Sequence, residues 1–172
     1  ASTSAAAAPS INYSIDPDAF VSLENDRVRA TFAKHSGALM GLFDKRANVE
    51  CIPGADGSPP FSLSRMPEGA GAPEEISADE IELLSLEVKG PTLSARYQVQ
   101  GAVLVDIEIS LADAEVAFAM RVNNRSESEV LEPVFPNVSG IALGEDSRDD
   151  LLITPNWQGG LKTVDPAHSG GG

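Results

Sequence analysis

The chain has 172 residues, 42% of them hydrophobic, which suits one domain that buries roughly 70% of the surface its unfolded chain exposes. Against 12 basic residues stand 26 acidic ones, and the resulting net charge of −14 sets a field that repels nucleic-acid phosphates and anionic membrane surfaces. No apolar run approaches the ~20 residues that span a bilayer, so no membrane insertion is expected. The single cysteine, Cys51, has no intrachain partner and reads as a buried thiol beside Val49 and Ile52, with an intermolecular bond or a reactive thiol as the other readings.

Residues 1–10 are small and uncharged, as in a linker or the end left when a signal peptide is removed, so a secreted or extracellular protein is expected. Residues 1–18 read as an extended arm or linker, 19–164 as a β-sandwich domain and 165–172 as a flexible Gly-rich tail. Residues 20–32 and 37–46 then read as strand, turn, strand, turn, strand, with Val28, Ala30 and Phe32 on one face. Residues 67–79 show no apolar period, contain Gly69, Gly71 and Pro73, and read as a long exposed loop.

From residue 80 the alternation resumes, but Ile81 and Leu83 lie in one phase and Leu84, Leu86 and Val88 in the other. A β-bulge near Leu83 and Leu84 accounts for the slip. Leu93, Ala95, Tyr97 and Val99, then Val103, Val105, Ile107, Ile109 and Leu111, then Val116, Phe118, Met120 and Val122 form three alternating runs. With turns at Gly101 and residues 112–114, they predict an antiparallel meander. Residues 130–135, 138–143 and 151–154 read as short strands broken by Pro133, Pro136 and Pro155. No window of a dozen residues keeps a helical period. The expected fold is therefore all-β, an antiparallel two-sheet β-sandwich.

Chemistry-bearing motifs are few. His35 and His168 are the only histidines, and neither neighbours a nucleophile or a second ligand, so no catalytic set and no histidine-based metal site is recognised. Asp106, Glu108 and Glu115 read as solvated strand faces. Glu145, Asp146, Asp149 and Asp150 are weak calcium candidates, because hard cations gather carboxylates from flexible loops; a polar loop partly neutralised by Arg148 is the alternative, and otherwise no cofactor is expected. Asn156, Trp157 and Gln158 are the candidate sugar-binding residues. An indole face packs on the C–H face of a pyranose and the amides bond hydroxyls, although amphipathic tryptophans more commonly plug one end of a sandwich, which is the other reading of Trp157. Asn12, Asn124 and Asn137 each begin an N-x-S glycosylation triplet, a pattern that also arises by chance.

Residues 20–53 resemble the entry of the galactose-mutarotase-like supersandwich domain that precedes the catalytic barrel in secreted glycoside hydrolases. Val122-Asn123-Asn124, Phe135-Pro136 and residues 155–160 are similar to its later strands and to a loop facing the barrel, so the likeness covers roughly residues 20–162. The resemblance implies a supersandwich-like fold and a non-catalytic, carbohydrate-associated module whose partners are carbohydrate or a catalytic barrel domain. Mutarotases use histidines in their sugar site, and this chain offers no matching pair. A second reading is a structural subunit of an extracellular assembly or filament. In it the N-terminal arm, with Ile11, Tyr13 and Ile15, adds a strand to a neighbour's sheet edge. A third, a free-standing enzyme, requires glycoside turnover by this chain alone.

Overall fold

The computed structural model describes residues 18–53, 55–66, 71–127 and 130–142, together with the strand backbones of residues 152–155 and 161–164. The chain first builds β1 (Phe20–Glu24), β2 (Val28–Ala33), β3 (Leu39–Asp44) and β4 (Val49–Glu50), one antiparallel sheet in the order β1-β2-β3-β4. Asx turns join β1 to β2 and β3 to β4. Asn25 Oδ1 accepts the N–H groups of Arg27 and Val28, both at 2.9 Å. Asp44 Oδ1 accepts those of Ala47 and Arg46, and these bonds hold the Asp44 carboxyl below its usual range.

Next come β5 (Ser62–Arg65), β6 (Glu74–Glu75) and a 3-10 turn (Ala78–Glu80). The long meander follows, with β7 (Ile81–Lys89), β8 (Thr92–Val99), β9 (Val103–Ala112) and β10 (Glu115–Asn124) in the order β10-β9-β8-β7. Then β11 (Val130–Val134) pairs with β5, completing a small β11-β5-β6 sheet, and β12 (Leu152–Pro155) pairs with β13 (Leu161–Val164). The protein is an all-β antiparallel sandwich. The β1–β4 and β7–β10 sheets share one core, to which the small sheet adds Leu63.

Alternation explains the packing. Ala30 and Phe32 of β2 are fully buried with Val28, and opposite them lie Leu93, Ala95, Tyr97 and Val99 of β8 and the odd-numbered residues 103–111 of β9. Each fully buried large side chain contributes about 1.5–3 kcal/mol relative to exposure. The expected bulge is present as a register shift between Leu83 and Ser85. Two expectations change. The exposed loop over residues 67–79 instead carries β6, which pairs with β5, and Ile76, which is buried with its N–H on the Leu63 carbonyl. A two-residue strand is too short to show a period. Residues 138–142 form no strand: Gly140 sits at φ +72°, and Asn137 and Ala142 give their N–H groups to Pro60 and Cys51 instead.

Tyr97 joins the two large sheets. Its ring meets Phe61 edge-on at 5.1 Å between centroids, and its Oη donates to the Ser36 carbonyl at 3.0 Å. Gly37 lies directly over that hydroxyl at φ +71°, so a Cβ there would both overlap Tyr97 Oη and strain the backbone. At one end of the sandwich, the tip of the β9–β10 hairpin is tied to the β1–β2 turn. Asp113 accepts Asn25 Nδ2 at its carbonyl and Arg27 at its carboxylate, at 2.5 Å and 3.0 Å.

Gly37→Ala should therefore lower unfolding free energy by about 2–4 kcal/mol in urea titration, the sum of left-handed strain and overpacking. Tyr97→Phe, which only removes the bond to Ser36, should cost about 1 kcal/mol. Burial raises the Tyr97 phenol well above its ordinary value. A neutral buried phenol stabilises the fold below the unfolded pKa of ~10, and that contribution is lost as pH rises beyond it. Urea midpoints should fall progressively as pH rises above about 10, where free phenols ionise, in the native chain, and fall less in Tyr97→Phe.

Candidate functional site

The residues that face away from the core on β7–β10 are dictated by those that face it. With odd positions of β8 and β9 buried, Ser94, Arg96, Asp106 and Glu108 project outward. Cross-strand register lines them up: Ser85, Arg96, Asp106 and Arg121 form one row across four strands. Glu87, Ser94, Glu108 and Ala119 form the row beside it. Strands ~4.8 Å apart make each row ~14 Å long, and the rows lie ~7 Å from each other. Together they line an open groove of about 640 Å³.

The small side chain of Ala119 leaves the floor of the groove low at β10, while Arg96 and Asp106 stand at its centre. Arg96 Nε donates to Asp106 Oδ1 at 2.6 Å, and this carboxylate raises the Arg96 pKa. Glu87, at one side, is held below its usual range by Lys89. Two guanidiniums, three carboxylates and two hydroxyls thus present donors and acceptors at fixed spacing. Such a surface matches a ligand dense in hydroxyl groups and offers little to an apolar one.

The charged residues of this groove are legible in the sequence only in part. Asp106 and Glu108 read as solvated strand faces, and nothing in the sequence singles out Arg96 or Arg121. Their common signal was the polar phase of three successive alternating runs, and the strand register is what brings them together. Of the residues singled out from sequence, Asn156, Trp157, Gln158, Glu145, Asp146, Asp149, Asp150 and Asn12 lie outside the described residues. Asn124 is exposed at the end of β10, with Oδ1 accepting the Ser126 hydroxyl at 2.7 Å. Asn137 is exposed, and the hydroxyl of its triplet, Ser139, donates to Asp56 at 2.9 Å. His35 is exposed in the turn after β2. Among the described residues, no group of three or more His, Cys, Asp or Glu side chains is placed to hold a metal ion.

Cys51 is half-buried rather than buried. Its N–H bonds the Leu42 carbonyl at 2.8 Å, and desolvation, then the Glu50 and Asp44 charges, push the thiol pKa up.

Fold and groove define the class: an antiparallel β-sandwich with a polar outer groove, and with no assembled metal centre among its described residues. No model of a known protein family matches the chain, nor does any curated protein.

The raised thiol predicts slow chemistry at Cys51. Its alkylation by iodoacetamide at pH 8 should be slower than that of a free thiol, with a rate that still climbs at pH values where the free thiol has levelled off. A rate profile superimposable on that of free cysteine would contradict the burial of this group.

Proposed function

We propose that the chain is a non-catalytic, carbohydrate-associated β-sandwich module of a secreted glycoside hydrolase, and that the groove across β7–β10 is its sugar-contacting face. The observation that carries this reading is the pair of polar rows. Every sugar hydroxyl is both donor and acceptor, and a surface alternating guanidinium, carboxylate and hydroxyl meets it with charge-assisted bonds. The sequence resemblance to supersandwich domains supports the same reading.

Asp106 is engaged by Arg96 and so serves as an acceptor in a fixed position. Two or three charge-assisted bonds of about 1.5–3 kcal/mol each, offset by the ordering of an open site, correspond to a Kd of roughly 10 µM to 1 mM.

Affinity electrophoresis and calorimetry against soluble glucans, xylans, galactans and mannans test the proposal. One of these classes should retard the native chain, and Arg121→Ala or Glu108→Gln should weaken that binding about tenfold, the loss of one charge-assisted bond. The Arg96–Asp106 pair is substantially exposed, so Arg96→Ala should cost less than about 1 kcal/mol of stability while weakening sugar binding. Trp157→Ala in the same assay reads whether the indole contributes. Absence of retardation on every glycan removes sugar binding, and binding unchanged in Arg96→Ala, Arg121→Ala and Glu108→Gln removes the groove.

A further inference from the structure

Among the described residues, an apolar cleft lies between two sheet edges. β1 ends the first sheet and β7 ends the second, and Val21 lines a space of about 350 Å³ together with Leu83, Leu84, Leu86 and Val88. The bulge at Leu83–Ser85 turns Leu84 out of the strand's alternation, and Leu84 and Val88 remain 46% and 37% exposed. A terminal strand also carries a row of backbone groups that its own sheet does not pair. Apolar side chains beside such a row attract another strand, which is why sandwich edges are commonly guarded by charge or proline.

We propose that this cleft is the seat of residues 11–15 of the same chain, docked as an added strand along β7. Three features of the chain fit it to the site. Ile11, Tyr13 and Ile15 alternate with Asn12 and Ser14, giving one apolar face of three side chains. Residues 11–15 span ~13 Å when extended, the same four steps that separate residue 84 from residue 88 of β7. The described chain also begins beside the cleft: the Ala19 carbonyl accepts the N–H of Lys34 at 2.9 Å, and Lys34 lines the cleft wall.

Only Asp16 and Pro17 separate the segment from Asp18. Such a short tether holds it at a high effective concentration, which favours docking in the same molecule over capture by a second copy. Pro17 suits the connecting turn, because its fixed φ and missing donor end a strand. Residues 1–10 have no apolar alternation and stay outside the cleft in this arrangement. Docking would cover the exposed parts of Leu84 and Val88 and pair the open edge of β7.

Hydrogen exchange on the full chain, read by mass spectrometry, tests this from both sides of the contact. In the triple variant Ile11→Ser, Tyr13→Ser, Ile15→Ser, peptides covering residues 81–89 should exchange at least about tenfold faster, while those of β8 and β9 keep their protection. In Leu84→Ser, peptides covering residues 11–15 should exchange faster by a similar factor. β7 protection unchanged in the triple variant, or residues 11–15 unprotected in the native chain, overturns the proposal. If one variant loses protection throughout, the other decides. Sedimentation equilibrium fixes the occupant: native chain and triple variant should both run at 18.0 kDa. A native dimer that the triple variant splits assigns the cleft to a second copy and overturns docking within one chain.

Discussion

The approach of Tyr97 to Gly37 sets the spacing on which the rest of the sandwich depends. A phenol reaching across from the second sheet finds a carbonyl acceptor at Ser36 and bare backbone at Gly37, so the first sheet settles at the height its hydroxyl dictates. Phe61 braces the ring from the side. Desolvating a hydroxyl without an acceptor would cost about 1–3 kcal/mol, so the hydroxyl goes together with its acceptor at Ser36 and the space above Gly37. The Asn25 and Arg27 contacts to Asp113 are more exposed and contribute less energy, but they hold the hairpin tip in line with the first sheet.

The polar groove is the other side of this arrangement. Tyr97 lies between Arg96 and Gln98 in one strand, and period-two geometry sends Tyr97 into the core and Arg96 to the opposite face. The same holds for Asp106 between Val105 and Ile107. Core packing therefore fixes the backbone positions from which Arg96, Asp106 and Glu108 project, so the donors and acceptors are held in place by strands rather than by loops. Side chains that project from paired strands keep their spacing with little backbone ordering.

Much of the architecture was legible in the sequence because period two is a strong signal in long strands. Val28, Ala30 and Phe32, the three runs of the meander, and the slipped phase at Leu83 and Leu84 all carried enough residues to show it. β4 and β6, with two residues each, carried none, and Ile76 lay hidden among acidic and small residues. Over residues 138–142, apolar content resembled a strand, but Gly140 at φ +72° and hydrogen bonds to Pro60 and Cys51 direct the backbone elsewhere. The groove was harder to see than the core for a different reason. Burial is a property of each strand, whereas the row from Ser85 to Arg121 exists only once four strands are in register, and hairpin loop lengths and a bulge decide that register.

The alternation along β8, β9 and β10 separates two tasks within the same strands. Positions 93, 95, 97, 105, 107 and 109 hold the sheets together, and positions 94, 96, 106, 108, 119 and 121 meet whatever lies in the groove. Replacement of the outward set leaves the interior volume unchanged. The outer face can therefore change one side chain at a time while the core that holds the two sheets together keeps its composition.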